Sequence, residues 1–361
     1  MTDIKDHFKS YLSVKGKYKG GKKAQGDRRY YKLSSNENPI GASPKAMAAI
    51  KAALNDLHIY PDNTDARLRE ALALDFNQDI DPRQFITANA GSEVMDLFIR
   101  AFIRPGDEVI LSNPCFIPYN TFSLWMGAKV IDVPLKEKTY ELDVKGILNA
   151  ITERTRILFL TSPNNPTGTY LPKAQVDSLL DQLPKNILVI YDEVYRHFAD
   201  APDYTTALAY VKKGYPVVGL NSFSKTYGLA ALRIGYAYTT LEIAEYVRQI
   251  CKPFMIPKLN LAAAIAALGD QEFINQTVDL VKAEREYLST HFRRLGIAFT
   301  PSQSNFFLID PPIGEEALVQ YLYEKGIMVR PVTSFGAPGK VRISIGQRPA
   351  NEALIAALSQ L

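Results

Sequence analysis

Three polar clusters, each directly after a short apolar run, contain side chains that could take part in chemistry. They are Lys225 at the end of S-F-S-K, Asp192 at the start of D-E-V-Y, and the loop Ser162–Gly168 with the sequence S-P-N-N-P-T-G. A lysine that is partly removed from water has a lowered pKa, so its neutral amine can attack a carbonyl carbon. A buried aspartate is costly unless it faces a fixed cation. These residue types predict a site with an amine nucleophile and a carboxylate that holds a cation.

The segments that precede these clusters are typical of buried parallel strands. They are apolar without the alternation of a half-exposed strand, and helical patterns separate them. The predicted strands are Glu108–Leu111, Ile157–Thr161, Ile187–Tyr191 and Val217–Asn221. Ser43 and Pro44 predict the start of a helix that runs to Leu54, and another helix begins near Gly91. The pattern predicts a doubly wound α/β fold with a mostly parallel sheet, in which ligands bind beyond the carboxyl ends of the strands.

The pattern changes after Leu241, which indicates a second, smaller α+β domain. Long helical stretches come first, followed by short strands that alternate with helices. The predicted elements are helices at Glu242–Leu268 (interrupted at Pro253 and Pro257), Gln271–Leu295, Glu315–Lys325 and Asn351–Gln360, and strands at Asn305–Ile309, Ile327–Arg330 and Lys340–Ile345. We therefore expect an N-terminal basic arm over residues 1–39 and a large domain over 60–268. The small domain is expected to combine residues 40–59 with 269–361.

Composition places the chain among soluble, two-domain, cytoplasmic proteins. It has 361 residues, of which 47% are hydrophobic and 22% charged. We expect no signal peptide and no membrane span, and the two cysteines and four histidines lack the spacing of a metal site. Residues 1–32 hold ten Lys or Arg against three Asp or Glu, so the basic charge lies in the arm. No helix-turn-helix or aromatic-basic stripe follows it, so we expect no nucleic-acid partner.

Together, a lysine for an aldehyde, a carboxylate for a pyridinium nitrogen and anion-binding groups are the parts that a pyridoxal 5′-phosphate site needs. The chain resembles the fold-type I PLP-dependent aminotransferases of class I/II, and most closely the histidinol-phosphate aminotransferases. Seven motifs carry this resemblance in family order. They are L-S-S-N-E-N-P-I-G (Leu33–Gly41), Y-P-D (Tyr60–Asp62), A-G-S-E (Ala90–Glu93), S-P-N-N-P-T-G, D-E-V-Y, S-F-S-K-T-Y-G-L-A-A-L-R-I-G (Ser222–Gly235) and V-R-I-S-I-G (Val341–Gly346).

The resemblance assigns catalytic roles around the cofactor ring. It implies that Lys225 bonds the aldehyde covalently and later moves a proton on the substrate, and that Asp192 pairs with the pyridinium nitrogen. Asn165 and Tyr195 are expected to hydrogen-bond the phenolate oxygen of the ring.

The resemblance also assigns the groups that hold the phosphate. Ser222, Ser224 and Arg233 are expected to bind it, together with the backbone N–H groups of Ser92 and Glu93. The last two lie where a helix begins, and a helix N-terminus binds anions well.

Two aromatic side chains complete the implied cofactor site. Phe116 is expected to stack on the ring, where many relatives have tyrosine. Tyr60 is expected to reach the phosphate in the neighbouring subunit, which implies a homodimer.

The implied reaction is ping-pong transamination between an amino donor and a 2-oxo acid. The leading pair is L-histidinol phosphate and 2-oxoglutarate, a step of histidine biosynthesis. Arg342 is expected to bind a substrate carboxylate, and Arg330 supplies a second cation for an additional anion. Asn36 and Tyr11 are also expected to lie at the substrate.

Other functions stay open on the sequence alone. Aromatic or other amino acids could be the donor, and a similar PLP-dependent threonine-phosphate decarboxylase uses nearly the same residues. A third alternative is a protein with the PLP fold but no activity, used as a binding module. The presence of Lys225, Asp192 and Asn165 argues against it. Ser222-x-x-Lys225 also matches serine acyl hydrolases, but the S-D-N and K-T-G tripeptides of those enzymes are absent. The stretch Gly16–Lys23 is an incomplete match to a phosphate-binding loop, with Lys23 in place of Ser or Thr.

Overall fold

A seven-stranded sheet forms the centre of the molecule in the computed structural model, which describes residues 3–13 and 29–361. In this part of the chain the strands are β1 (Tyr31–Lys32), β2 (Phe85–Ala88), β3 (Glu108–Leu111), β4 (Lys129–Asp132), β5 (Thr155–Thr161), β6 (Leu188–Asp192), β7 (Val217–Ser222), β8 (Gly235–Tyr238), β9 (Phe306–Ile309), β10 (Ile327–Met328), β11 (Arg330–Pro331) and β12 (Val341–Ser344). The helices are α1 (Pro44–Ala53), α2 (Ala66–Asp75), α3 (Ala90–Phe102), α4 (Pro118–Trp125), α5 (Val144–Ala150), α6 (Lys173–Gln182), α7 (Leu208–Val211), α8 (Leu241–Arg248), α9 (Lys258–Leu268), α10 (Gln271–Arg294), α11 (Glu315–Glu324) and α12 (Arg348–Leu358).

The large sheet has the order β2-β8-β7-β6-β5-β3-β4, and only β8 runs antiparallel to its neighbours. The four predicted strands are present as β3, β5, β6 and β7, which confirms the doubly wound, mostly parallel α/β fold. Strands β2, β4 and β8 were not predicted. Strand β4 lies at the sheet edge and is half exposed, so its sequence K-V-I-D has no buried apolar run.

Both faces of the sheet are covered, which is why its strands are apolar throughout. Successive side chains of β5 alternate between the two layers. Ile157 and Phe159 belong to one hydrophobic cluster, and Leu158 and Leu160 belong to the other. Since every position of the strand is packed, helices flank both sides of the sheet.

Strand register brings the predicted polar clusters to one edge. Thr161 pairs with Asp192 between β5 and β6, and Asp192 pairs with Leu220 between β6 and β7. The loops that follow these three parallel strands therefore leave the sheet side by side.

A second core surrounds the antiparallel sheet β11-β12-β9. The long helix α10 covers it with Leu288 and Phe292, which are fully buried. The predicted elements after Leu241 are present, and the helical stretch interrupted by prolines forms two helices, α8 and α9. The strand expected at Ile327–Arg330 is divided into β10 and β11, which join different sheets.

Two features of the packing bear on the expected domain boundaries. Helix α1 lies against α9 and places Ala46 in the core of the large sheet, although residues 40–59 were expected in the small domain. Strand β1 pairs with β10 and Leu33 is buried in the second core, although residues 1–39 were expected to form an arm. We therefore propose that residues 40–59 group with the large domain, and that the folded body begins before Tyr31.

Among the residues described, each helix is too short or too polar to cross a membrane. The lysine-rich stretch Gly16–Lys23 lies outside the described residues.

Candidate active site

A small cavity of about 130 Å³ lies at the carboxyl edge of the large sheet, where it meets strand β12. Its lining includes seven residues that the sequence had singled out: Asn36, Phe116, Asn165, Asp192, Tyr195, Lys225 and Arg342. Ser35, Tyr119, Thr161 and Phe335 complete it. A larger cavity of about 860 Å³ opens elsewhere, but it contains none of these side chains. The small cavity is therefore the candidate active site.

Lys225 presents its amine to this cavity from the loop after β7. Its Nζ donates a hydrogen bond to the Ser35 carbonyl oxygen at 3.1 Å and lies 5.7 Å from the centre of the Tyr195 ring. Burial disfavours the ammonium form, and the nearby positive charge of Arg342 disfavours it further, so the pKa of Lys225 falls to about 7. Near neutral pH much of this amine is unprotonated, and an unprotonated amine can bond an aldehyde carbon.

Asp192 ends strand β6 and also lines the cavity. Its Oδ1 accepts a hydrogen bond from the Val194 N–H at 3.1 Å, and its Oδ2 accepts one from the Tyr119 hydroxyl at 2.6 Å. Burial raises the pKa of Asp192 to about 6, and the two hydrogen bonds oppose that rise. A buried carboxylate of this kind is stabilised by any cation that enters the cavity, which suits a pyridinium nitrogen.

The side chains of Arg342 and Asn165 are hydrogen-bonded to each other. Arg342 is buried in β12, where one of its Nη atoms donates to Asn165 Oδ1 and the other donates to the Ser34 carbonyl oxygen at 2.8 Å. The guanidinium also lies over the rings of Phe306 and Phe335. A guanidinium held in this way offers a fixed charge to a carboxylate or phosphate.

Asn36 lies at the cavity but its polar groups are bonded within the protein. Its Nδ2 donates to the Tyr195 hydroxyl at 3.0 Å, and its Oδ1 accepts from Ser344 Oγ at 2.9 Å. Its N–H donates to Ser344 Oγ at 2.8 Å, and its carbonyl accepts from Asn305 Nδ2. With a φ of 54°, Asn36 adopts the left-handed conformation, which these bonds stabilise. Asn36 therefore links Tyr195 to strand β12, a contact that the predicted role at the substrate did not include.

The groups predicted to bind the phosphate lie beside this cavity and do not line it. The hydroxyl of Ser224 is buried and has no hydrogen-bond partner among the described residues, which fits an acceptor that a phosphate oxygen would supply. The Ser224 N–H donates to Ser222 Oγ at 3.1 Å. Helix α3 begins close by, because a Cβ on Gly91 would lie 3.1 Å from the Asn221 carbonyl oxygen.

Ser92 and Glu93 occupy the first turn of α3, so their N–H groups lie at the helix N-terminus. The Glu93 side chain accepts a hydrogen bond from the Asn89 N–H at 3.0 Å. Arg233 has a φ of 52° and donates to the Ala230 carbonyl oxygen at 3.1 Å. The serines, the helix start and this arginine together could hold a phosphate.

Three further predicted residues belong neither to the cavity lining nor to this phosphate-binding group. Tyr60 is 78% exposed and stacks on Phe254 with a ring separation of 4.8 Å. Tyr11 lies against Gly127, after α4. Arg330 is buried, pairs with Arg342 in the strand register, and has its guanidinium over Phe335.

Tyr119 is a site residue that sequence reasoning missed. It lies in α4, three residues after Phe116, and its type and position resemble those of an ordinary core tyrosine. Only the contact with Asp192 distinguishes it, and that contact depends on how α4 packs against β6.

Comparisons with known proteins agree with this geometry. Residues 28–358 match the family model described as aminotransferase class I and II. Among curated proteins, the histidinol-phosphate aminotransferase of an Anaeromyxobacter species is 37% identical over 91% of this chain and 90% of its own length. That of a Geobacillus species is 37% identical over 95% of each chain.

Solved structures give the same result. The histidinol-phosphate aminotransferase of Sinorhizobium meliloti in complex with pyridoxal-5′-phosphate has a TM-score of 0.83 and 26% identity, and covers 92% of this chain and 91% of its own. The aspartate aminotransferase of Thermus thermophilus with maleate has a TM-score of 0.80 and 25% identity over the same shares. The chain therefore belongs to the aminotransferase class I and II family.

Proposed function

We propose that this protein is a pyridoxal 5′-phosphate-dependent transaminase that transfers the amino group of L-histidinol phosphate to 2-oxoglutarate, in histidine biosynthesis. The central observation is one cavity that holds a lysine of lowered pKa, a buried carboxylate and a fixed arginine. Relatives of about the same length, 37% identical, bear the name of this enzyme and support the choice of donor.

The residues of the cavity, together with the phosphate-binding residues beside it, fit the cofactor from end to end. Asp192 would hold a proton on the ring nitrogen, and Asn165 and Tyr195 would donate to the ring oxygen. The Ser224 hydroxyl, which has no hydrogen-bond partner in the described part of the chain, and the start of α3 would hold the phosphate. When bound, the cofactor supplies an electron sink that stabilises negative charge at the substrate Cα and carries the amino group between the two substrates.

Lys225 is the general base of this proposal. Its lowered pKa leaves a neutral amine at Nζ that could take up the proton from the substrate Cα and later release it. Arg342 orients the substrate through its anionic group. Which bond at Cα breaks depends on that orientation.

Arg342 and Arg330 suit the anions of both substrates. Histidinol phosphate carries a phosphate and no carboxylate, and 2-oxoglutarate carries two carboxylates. A guanidinium binds either anion through paired N–H groups. We propose that Arg342 contacts the anion in the cavity and that Arg330 takes part when the substrate extends behind Phe335.

A homodimer is also part of the proposal. Tyr60 is exposed in the single chain, and other exposed apolar side chains lie near it in sequence or in contact with it: Leu54, Leu57, Ile59 and Phe254. A second copy would cover this surface and receive Tyr60 at its phosphate site. We place the enzyme in the cytoplasm, where amino-acid biosynthesis supplies both substrates.

A donor panel tests the function. The purified holoenzyme is assayed for kcat/KM with histidinol phosphate, phenylalanine, tyrosine and phosphothreonine, each with 2-oxoglutarate, while glutamate and CO2 are measured. We expect histidinol phosphate to be the best donor, with one glutamate per turnover and no CO2. CO2 release from phosphothreonine would indicate the decarboxylase instead, and a preference for phenylalanine or tyrosine would indicate an aromatic aminotransferase.

The variant Arg330→Ala tests whether Arg330 contributes to substrate binding. We expect it to lower kcat/KM for histidinol phosphate, and an unchanged kcat/KM would show that Arg330 is not part of the site.

A further inference from the structure

Tyr119 places a phenol against the carboxylate at the centre of the site. It is 1% exposed, and its hydroxyl donates to Asp192 Oδ2 at 2.6 Å. The oxygen of that hydroxyl accepts a hydrogen bond from Thr161 Oγ1 at 3.0 Å. Thr161 and Asp192 are paired in the sheet, so α4 supplies the tyrosine that joins the ends of two neighbouring strands.

The ring of Tyr119 has little freedom to move its hydroxyl. It stacks on Phe159, with the ring centres 4.9 Å apart and the planes 13° from parallel. Its edge meets Phe116, the residue expected to stack on the cofactor, at 5.6 Å. Because both contacts are made by the ring alone, a phenylalanine at this position would keep them.

Several charged and titratable groups face Asp192 from the elements around it. Lys225 and Arg342 approach from the cavity with positive charge, and Tyr195 lines the same cavity. Glu193 follows directly in the chain, and its negative charge raises the pKa of Asp192. Tyr119 is the only side chain hydrogen-bonded to the carboxylate within the described residues.

We propose that Tyr119 is a positioning residue for the cofactor: its hydroxyl fixes the plane of the Asp192 carboxylate and keeps that carboxylate ionised for a pyridinium nitrogen. The inference rests on the proposed function and deepens it. A hydrogen bond to the charged form of an acid stabilises that form, so removing this donor makes Asp192 take up a proton more readily. A protonated Asp192 no longer offers a negative charge to the ring nitrogen.

Tyr119→Phe removes the hydroxyl and keeps the ring. The cofactor-free protein is titrated with pyridoxal phosphate between pH 5.5 and 8.5, and the dissociation constant is read from the visible absorbance. We expect Tyr119→Phe to bind the cofactor about tenfold more weakly than wild type at pH 7. The pH below which binding weakens is expected to move about one pH unit higher, because Asp192 takes up its proton at a higher pH.

Tyr191→Phe is the matched control. Tyr191 is equally buried and adjacent to Asp192 in sequence, but its hydroxyl donates to the Thr205 carbonyl oxygen at 3.1 Å. We expect this variant to bind the cofactor like wild type at every pH. Equal weakening in both variants would show a general packing effect and overturn the proposal.

Thr161→Val serves as a second variant if thermal unfolding of the cofactor-free Tyr119→Phe protein shows that it does not fold. It removes the donor to the Tyr119 hydroxyl, and we expect a smaller weakening with the same upward move in pH. Binding within twofold of wild type across the pH range, in Tyr119→Phe or in this substitute, would overturn the proposal. Wild-type protein that binds no pyridoxal phosphate would instead refute the proposed function.

Discussion

At the scale of single residues, the chemistry depends on two buried groups whose pKa values move toward neutrality. Desolvation lowers the pKa of Lys225 to about 7 and raises that of Asp192 to about 6. The first change provides a neutral amine, and the second is limited by the hydrogen bonds from Tyr119 and Val194. Paired pKa shifts of this kind are expected at active sites, where an acid and a base have different catalytic roles.

The lowered pKa of Lys225 predicts how the cofactor-free enzyme takes up its cofactor. Only the neutral amine bonds the aldehyde, and the amine is neutral above its pKa. The rate constant for pyridoxal phosphate capture is therefore expected to be level above about pH 7 and to fall about tenfold for each pH unit below it. Stopped-flow absorbance measures this rate. A rate that keeps rising up to pH 10 would show an ordinary surface lysine.

Sequence reasoning found Lys225, Asp192 and Arg342 because each stands in a distinctive motif, at the end of a predicted strand or within one. It did not find Tyr119 or Ser344, because a tyrosine in a helix and a serine in a strand have no distinctive pattern. Their importance depends on side-chain contacts between elements that are distant in the chain. The burial of Arg330 outside the cavity lining has the same origin.

At the scale of elements, strand β12 is hydrogen-bonded to Asn165 directly and connected to Tyr195 through Asn36, and these are the two residues expected at the ring oxygen. Arg342 donates to Asn165, and Ser344 is bonded to Asn36, which donates to Tyr195. Arg342 and Ser344 are two residues apart, so they lie on the same face of the strand. The strand that would bind the substrate anion therefore also positions two cofactor contacts.

Ser344→Ala tests this role of β12. Asn36 would lose two hydrogen bonds that stabilise its left-handed backbone, and Tyr195 would be less well positioned. We expect kcat/KM for histidinol phosphate to fall about tenfold, with a shift in the pH dependence of the visible absorbance of the holoenzyme. Ser302→Ala is the control, since Ser302 is also buried and both donates and accepts through its hydroxyl. If Ser302→Ala is equally impaired, or Ser344→Ala is normal, the role assigned to β12 is wrong.

The elements that the sequence predicted best are those buried on both faces. Strands β3, β5, β6 and β7 are short, continuous apolar runs bounded by turn residues, a pattern typical of strands in a covered parallel sheet. Strand β8 contains G-Y-A-Y and was missed, because its Gly235 is required by packing and not by strand propensity. A Cβ at that position would meet the backbone of Gly91 at the start of α3. Close packing of this kind becomes visible only when the two segments are placed together.

At the scale of the whole molecule, we propose that the active site is shared between two copies of the chain. Tyr60 lies on the surface, and in the single chain it is not part of the cavity. If Tyr60 of one copy completes the site of the other, each site contains Lys225 from one subunit and Tyr60 from its partner copy. A mixed dimer can then contain one intact site.

Co-expression of Tyr60→Ala and Lys225→Ala chains with different tags tests the shared site. Each variant alone is expected to be strongly impaired or inactive. The purified mixed dimer is expected to recover up to about half of the wild-type activity, because one of its two sites has both native residues. A mixed dimer as inactive as Lys225→Ala alone would place Tyr60 in the site of its own chain. A fully active monomer in light scattering would exclude the shared site directly.

The account as a whole rests on Lys225 as the residue that carries the cofactor. Borohydride reduction of the purified holoenzyme, followed by peptide mass spectrometry, tests this claim most directly. We predict that reduction bleaches the visible band and leaves a pyridoxyl group on Lys225, and that Lys225→Ala shows neither the band nor the label. A pyridoxyl group on another lysine, or a wild-type enzyme that turns over without any label, would contradict the account.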